Sequence, residues 1–184
     1  MREFRQPEGK YEFVFGKYAQ PIAKIQPGEE VAIYTEDAFS GRLTSPDVSS
    51  SILFQAGYMN PQTGPFYIEG AEPGDTLVVE ILDIQPATGF AGSALIPGFG
   101  GVVATSSTPM LNDPLPEKCW LYKYDESTKK FTSTTDPALS FDYRPFYGTM
   151  TTAPELEAIS TATPFNQGGN MDCRDTCPGN KVML

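Results

Sequence analysis

The chain has 184 residues, of which 40% are hydrophobic, and this fraction argues against an intrinsically disordered protein. Its 13 basic and 23 acidic residues give a formal net charge of −10, which argues against nucleic acids and anionic membrane surfaces as partners. The sequence contains no histidine, so a Ser-His-Asp triad, a Cys-His pair and the common histidine-containing zinc sites cannot be completed within it. Any chemistry that the chain carries alone must therefore come from carboxylates, amides, hydroxyls, Lys, Tyr or Cys.

Length and cysteine usage predict how the chain is organised and where it works. A length of 184 residues predicts one domain over residues 1–184. The three cysteines form an odd set without framework spacing, which favours a reducing, cytoplasmic location. No apolar run approaches the length of a membrane span, and the polar start of the chain lacks the apolar core of a signal peptide. We therefore expect neither a membrane segment nor a signal peptide.

Glycine and proline, with 17 copies each, punctuate the chain and favour many short strands over long helices. Taken in chain order, short runs rich in β-branched and aromatic residues predict strands at 11–15, 31–37, 66–68, 76–84, 115–124 and 140–146. The Gly-rich segment 89–103 and the polar segment 125–135 predict loops. One short helix is predicted at 152–159, with Pro154 in its first turn. The predicted fold class is therefore mostly β.

One unit, a Pro-Gly turn followed by a strand, recurs along the sequence. The Pro-Gly pairs stand at 27–28, 73–74 and 178–179, and each precedes an apolar run. The third run reaches Leu184 after only a few residues, whereas the earlier two continue further. We expect such a short strand to pair poorly, so that either another chain supplies the missing part or the domain is incomplete at its C-terminus. The alternative is a short edge strand at a natural terminus.

The predicted strand at 76–84 carries apolar side chains on both of its faces. Val79 and Ile81 alternate with Val78 and Leu82, and only Glu80 and Asp83 interrupt the apolar run. We therefore expect much of both faces to be covered in the folded protein.

Two loops concentrate the side chains that could carry chemistry, at 60–75 and at 166–175. Their amides can hold a carbonyl group or stabilise an oxyanion, and their carboxylates can bind a hard cation or accept a proton from water. Gly168 and Gly169 would let backbone N–H groups approach a ligand. The alternative is an Asn/Asp/Gly loop that satisfies only its own backbone. The glycines at 98–101 are not followed by a GK[ST] motif or a helix, so a P-loop is rejected.

Several long segments resemble the acetamidase/formamidase family in sequence and in order. The segments that carry the resemblance include NPQTGPFYIEGAEPGD at 60–75, ALIPGFGG at 94–101, YRPFYGTMTTAPELEAIS at 143–160 and NQGGNMD at 166–172. The resemblance implies a β-sandwich of short strands with Gly/Pro-rich loops and at most one or two short helices. It also implies hydrolysis of small linear amides to a carboxylate and ammonia, by metal-assisted attack of water, in an intracellular oligomer.

The resemblance assigns roles to residues of the two loops and their neighbours. The expected catalytic residues are Glu69, Asp172 and Asn170. The expected substrate-binding residues are Asn60, Thr63, Phe66 and Phe99, with Tyr67 as a further candidate for an apolar wall. A divalent metal, Zn²⁺ or another ion, is expected on Asp37 and Asp172.

The chain departs from the family pattern in two places. It has no counterpart of the family's C-terminal segment with its histidine-containing motif, so a homo-oligomer or a second polypeptide is the expected partner beside the small amide. The alternative hypothesis is a catalytically incomplete β-sandwich module or subunit that needs a partner chain. Cys173 and Cys177 are also unlike the family loop, and without histidine we expect free thiols there rather than a metal site.

Overall fold

The computed structural model describes residues 1–7, 9–53, 59–100 and 115–184. Strands account for 34% of these residues and helix for about 2%, so the prediction of a mostly β fold with at most one or two short helices is confirmed. No helix among them is long and apolar enough to cross a membrane. The described residues form two compact units, one from 1–38, 59–87 and 145–184, and the other from 39–58 and 88–144.

The elements follow the short spacing that the glycines and prolines predict. In chain order they are β1 (Arg2–Arg5), β2 (Val14–Phe15), β3 (Ala23–Ile25), β4 (Val31–Tyr34), α1 (Ser50–Leu53), β5 (Phe66–Ile68), β6 (Val78–Glu80), β7 (Phe90–Leu95), β8 (Lys118–Asp125), β9 (Lys130–Ser133), β10 (Ser140–Asp142), β11 (Thr149–Thr151), β12 (Ile159–Ser160), β13 (Pro164–Phe165), β14 (Gly168–Asn170) and β15 (Lys181–Met183).

The first unit is built from small groups of paired strands. Two pairs are parallel, β1 with β4 and β3 with β5, while β2 pairs antiparallel with β12 and β6 with β15. The strand β14 lies between β11 and β13 in a three-stranded antiparallel sheet. Buried apolar side chains in the described part of this unit include Phe15, Ile25 and Ile81. Long-range pairing therefore holds together strands that are each too short to be stable alone.

In its described residues, the second unit contains one antiparallel sheet with strand order β10-β9-β8-β7, together with α1. Phe131 on β9 is buried, with its ring 5.1 Å from that of Tyr124 and 5.8 Å from that of Phe141. Leu53 of α1 and Cys119 of β8 are also buried. These aromatic and aliphatic contacts form the core of the sheet, because aromatic pairs at such distances add to the burial of apolar surface.

Three sequence predictions of local structure are wrong. The segment 89–103 contains β7, which pairs with β8 over six residues although it carries Gly92. The predicted turn region 125–135 contains β9, paired on both sides. The segment 152–159 is not helical, since β11 ends at Thr151 and β12 begins at Ile159. In each case pairing with a distant strand overrides a weak local preference.

The third Pro-Gly unit pairs with the second. Lys181 lies opposite Glu80 and Met183 opposite Val78, and Leu77 and Leu184 exchange backbone hydrogen bonds of 2.9 and 3.0 Å. The strand β15 is thus fully paired along its edge with β6, and the expectation that it would pair poorly is wrong on this edge.

Only one face of the β6 region is covered in the described part of the chain. Ile81 is 3% exposed, whereas Val78 is 52% and Leu82 is 58% exposed. The expectation that both faces are covered is therefore wrong for the first unit taken by itself. The apolar run predicted the strand, but it could not predict how many layers pack on it.

The carboxylate of Glu117 gives the second unit a pH-dependent stability. It accepts hydrogen bonds from the Ser49 hydroxyl, the Ser51 backbone N–H at 2.8 Å and the Ser51 hydroxyl at 3.1 Å. These hydrogen bonds, the one from Ser49 first, hold the pKa of Glu117 below its usual range. Because the folded pKa is lowered, the stabilisation is present above the ordinary glutamate pKa of about 4.3 and is lost as the pH falls below it.

We expect Glu117→Gln to lower the thermal midpoint at neutral pH and to have progressively less effect as the pH falls below about 4. Circular dichroism melts at a series of pH values measure this difference. Glu126→Gln, in the turn after β8, is the control for loss of one negative charge. Two variants with the same pH profile would contradict the prediction.

Candidate functional site

The two loops that the sequence singled out reach the same turn of the first unit. Thr163 donates its backbone N–H to the Ser160 carbonyl at 3.0 Å, which closes a turn that we call the Thr161 turn, residues 160–163. The Asn60 side chain donates to the Thr161 carbonyl at 3.3 Å, and the Asn170 side chain donates to the Ala162 carbonyl at 3.2 Å. Two amide side chains from distant loops are therefore held on consecutive carbonyl groups.

Thr161 anchors this turn in the interior of the unit. Its side chain is fully buried, with the hydroxyl 3.0 Å from the Met59 carbonyl and 3.2 Å from the Phe13 carbonyl. Its backbone N–H also donates to Phe13 at 3.1 Å. The turn is thus tied to Met59, the residue before the 60–75 loop, and to Phe13, the residue before β2, and this fixes the position of both amides.

The motif NQGGN forms a tight hairpin rather than an open loop. Phe165 pairs with Gly168, so Asn166 and Gln167 form a two-residue connection between β13 and β14. A Cβ atom on Gly168 would lie 2.5 Å from the Met150 carbonyl oxygen. The close approach that these glycines permit is therefore to protein backbone, as in the alternative interpretation of the sequence.

Asn170 is engaged at both ends of its side-chain amide. The Thr149 hydroxyl donates to Asn170 Oδ1 at 2.8 Å, while Nδ2 donates to the Ala162 carbonyl. The amide thus joins β11, β14 and the Thr161 turn. An amide nitrogen carries two hydrogens and this bond uses one of them. The role of Asn170 in orienting a substrate carbonyl stays a prediction.

The Asp172 side chain is exposed to solvent, while its backbone is fixed. Its backbone φ is +49°, a left-handed conformation that Asp tolerates better than most residues, and its N–H donates to the Gly148 carbonyl at 3.0 Å. Its Oδ1 lies 2.9 Å from the position that a Cβ on Gly148 would occupy. The carboxylate therefore packs closely over a residue that has no side chain.

Glu69 lies at the end of β5, where its carboxylate has other partners. Gln26 donates a hydrogen bond to it, and Lys24 Nζ lies 3.9 Å away. Its side chain is 37% exposed. These contacts belong to the β3–β5 pair rather than to the Thr161 turn.

The other predicted site residues are placed as follows. The Thr63 hydroxyl donates to the Tyr34 carbonyl at 2.7 Å, and the Phe66 ring meets Phe4 edge-on at 5.2 Å, so both hold strands of the first unit. Asp37 directly precedes Ala38, whose carbonyl accepts the Asn60 backbone N–H at 3.0 Å. Phe99 belongs to the second unit and is 53% exposed.

Asp37 and Asp172 do not belong to a metal-binding cluster in the described part of the chain. Among residues 1–7, 9–53, 59–100 and 115–184, no group of three or more His, Cys, Asp or Glu side chains could hold an ion. The divalent metal predicted on Asp37 and Asp172 therefore stays a prediction, and no chemical step is derived through it. Cys119, Cys173 and Cys177 form no disulfide bond in the described part of the chain.

The sequence analysis did not single out two buried residues of the site region, Thr161 and Gln167. Thr161 belongs to no motif, and nothing in its neighbourhood marks it as buried. Gln167 was part of the NQGGN motif but received no role. It is only 7% exposed, and both polar atoms of its side chain lack a hydrogen-bond partner among the residues that the structure describes.

An open depression of about 410 Å³ on the second unit has no residue in common with the predicted site. It is lined by Lys130, Ser140, Phe141, Asp142 and Arg144. Asp142 lies 3.5 Å from Lys130 and 3.7 Å from Arg144, so its charge is paired with both cations. This charged, open surface does not have the chemistry of a small-amide site.

Comparison with known proteins connects this fold to amidases. The model of the acetamidase/formamidase family matches residues 15–162. A formamidase from Methylophilus methylotrophus is 37% identical over 101 residues, which make up 52% of this chain and 23% of that protein. Among solved structures, an acetamidase from Yersinia enterocolitica matches with a TM-score of 0.84 at 38% identity. An acetamidase from Bacillus halodurans matches with a TM-score of 0.80 at 32% identity.

These matches show that the described strands adopt the fold of acetamidases, over 95% of this chain in both structures. The chain belongs to the acetamidase/formamidase family, and the resemblance in the sequence is thereby confirmed. The chain covers 52% and 54% of the two solved acetamidases, so it spans about half of their length.

Proposed function

We propose that this chain carries part of the active site of an amidohydrolase that converts small linear amides, such as formamide or acetamide, into a carboxylate and ammonia. The observation that supports the proposal is the convergence of Asn60 and Asn170 on the Thr161 turn. Membership of the acetamidase/formamidase family supports amide chemistry in general. The chain spans about half the length of its solved relatives. The amidase activity of the whole protein is therefore part of what we propose.

In the proposed reaction, water attacks the amide carbonyl and a carboxylate accepts its proton. The C–N bond then breaks while the resulting carboxylic acid returns that proton to the departing nitrogen, which leaves as ammonia. Asp172 is the preferred general base, because its carboxylate is solvent-accessible and positioned over Gly148. Amide N–H groups of Asn60 and Asn170 orient the substrate oxygen, and one well-placed donor of this kind contributes about 3–4 kcal/mol to transition-state stabilisation. Glu69 is the second carboxylate candidate. The divalent metal and the cytoplasmic location remain predictions from the sequence.

The test is ammonia release from formamide and acetamide by the purified chain, with and without added Zn²⁺ or Mg²⁺. We expect little or no release by the chain alone, and release above the rate of the heat-unfolded mixture once a polypeptide covering the remaining length of its relatives is added. Release that requires a metal would support the predicted cofactor. A folded chain that releases no ammonia in any condition, even when mixed with a polypeptide covering the remaining length of its relatives, would contradict the proposed function.

The second candidate is a module or subunit that is catalytically incomplete and needs a partner chain. The observation that favours it is the apolar surface of the β6–β15 pair, where Val78, Leu82 and Met183 are each more than half exposed. A homo-oligomer or a second polypeptide would cover this surface. Light scattering after size exclusion tests the partner, and a stable monomer at the 20.1 kDa of one chain would count against it.

A further inference from the structure

Thr149, the first residue of β11, holds the oxygen end of the Asn170 side-chain amide. Its hydroxyl donates to Asn170 Oδ1 at 2.8 Å, and the two residues are direct cross-strand partners in the β11–β14 pair. Cross-strand neighbours of an antiparallel pair have Cβ atoms about 4.5–5.5 Å apart, which is close enough for their side chains to interact. The register of the sheet therefore keeps the hydroxyl against the amide.

The nitrogen end of the same amide is fixed by a group that can only accept a hydrogen bond. Nδ2 of Asn170 donates to the Ala162 carbonyl at 3.2 Å, and a carbonyl cannot bond to Oδ1, so this contact determines which end of the amide faces it. The second Nδ2 hydrogen has no partner among the residues that the structure describes. The bond at Nδ2 is exposed, whereas the bond at Oδ1 is partly buried. The unused hydrogen therefore belongs to the end of the amide that is nearer to solvent.

We infer that Thr149 is a positioning residue that acts through Asn170 on the substrate carbonyl, an inference that rests on the proposed amidase function. With Oδ1 bonded to Thr149 and one hydrogen bonded to Ala162, the amide presents its remaining N–H, so Asn170 meets the substrate as a donor. A hydrogen bond to the oxygen of an amide also polarises the group and strengthens the bonds that its N–H groups donate. The Thr149 hydroxyl thus fixes the direction of the donor and increases its strength.

The same segment of the chain also positions the proposed base. Gly148, directly before Thr149, accepts the Asp172 N–H at 3.0 Å, and a Cβ on Gly148 would lie 2.9 Å from Asp172 Oδ1. Consecutive residues of the chain therefore hold the proposed base and the proposed carbonyl donor. The contribution of Thr149 should be largest in the transition state, because a stronger donor stabilises a developing oxyanion more than a neutral carbonyl.

The first experiment follows the side-chain ¹⁵N–H₂ signals of Asn170, assigned from their absence in Asn170→Asp. Thr149→Val keeps the shape of the side chain without its hydroxyl, so we expect the Asn170 side-chain ¹⁵N signal to move upfield. Thr149→Ser restores the hydroxyl and should keep the wild-type signal. Thr151→Val is the matched control in β11, because the Thr151 hydroxyl donates to the backbone carbonyls of Thr152 and Gln167. An Asn170 signal that stays in place in Thr149→Val would overturn the inference.

The second experiment measures steady-state ammonia release in whichever form of the protein releases it. We expect Thr149→Val to lower kcat about tenfold and to change KM less than about twofold, as for the loss of one hydrogen bond made mainly in the transition state. Thr149→Ser should recover most of the wild-type kcat, and Thr151→Val should retain it. An unchanged kcat in Thr149→Val, or a loss that Thr149→Ser does not recover, would show that Thr149 serves only the packing of β11.

The two proposals fail in different ways. Ammonia release with an unchanged kcat in Thr149→Val would overturn the role of Thr149 and leave the amidase function standing. If no form of the protein releases ammonia, the amidase function is contradicted, and a titration of acetamide into the ¹⁵N-labelled proteins then decides the role of Thr149. Asn170 signals that respond in the wild type and in Thr149→Ser but not in Thr149→Val would support that role, whereas equal or absent responses in all three would overturn it.

Discussion

Gly169→Ala is expected to destabilise the protein by about 3–5 kcal/mol, a loss at the upper end of single substitutions. The backbone φ of Gly169 is +97°, which costs about 1–3 kcal/mol for a residue with a Cβ. The new Cβ would also lie 2.5 Å from the Thr163 carbonyl oxygen and 3.2 Å from the Pro164 Cα. Because both are backbone atoms, β13 and β14 would have to separate. Urea unfolding of the variant and the wild type measures the difference.

Gly74→Ala separates the conformational cost of a positive φ from the cost of the steric contact between the new Cβ and the backbone. Gly74 has a φ of +100°, nearly that of Gly169, but a Cβ on it meets no atom within 4 Å. We expect this control to lose only the conformational cost of about 1–3 kcal/mol. Equal losses in the two variants would show that the contact with Thr163 contributes nothing and that the hairpin can relax.

The sequence predicted the strands that follow Pro-Gly turns because the signal there is local. Glycines 28, 74 and 179 all have positive φ, and β4, β6 and β15 begin within a few residues of them. A Pro-Gly pair determines the backbone of its own turn, and an apolar run of β-branched residues then favours a strand. Such patterns require no knowledge of the partner strand.

The sequence could not predict elements whose conformation depends on a distant partner. Phe90–Leu95 contains a glycine, a serine and two alanines, so its own preference for a strand is weak, yet it pairs over six residues with β8. The segment 152–159 has acidic residues suited to the start of a helix, but β11 and β12 enclose it. Tertiary pairing decides both cases.

The sequence predicted which loops carry the candidate site residues, but it did not predict which residues those side chains contact. Asn60 and Thr161 are 101 positions apart in the chain, and no motif connects them, so their hydrogen bond could not be inferred. Gln167 lies in a hairpin connection, for which composition predicts exposure. Glu69 received its role because it stands beside a strand in a family motif, and its contacts with Lys24 and Gln26 depend on the parallel pairing of β3 and β5.

Asp172→Asn is expected to lower kcat by about 10²–10⁴-fold in whichever form of the protein releases ammonia, since that is the usual contribution of a general base. The amide cannot accept the proton of the attacking water, although it has nearly the shape of the carboxylate. Folding should change little, because the Asp172 side chain is exposed. Steady-state ammonia release, with circular dichroism as a check on folding, measures both effects. Asp175→Asn, an exposed carboxylate in the same loop, is the matched control.

Gly148→Ala tests whether the position of this carboxylate matters as well as its presence. The added Cβ would lie 2.9 Å from Asp172 Oδ1, and the end of a flexible side chain can move away at little cost in stability. We therefore expect a stable protein with reduced kcat and an unchanged set of ionisable groups. If Asp172→Asn and Gly148→Ala both keep full turnover, Asp172 is not the base. Glu69→Gln then decides whether the remaining carboxylate candidate takes that role.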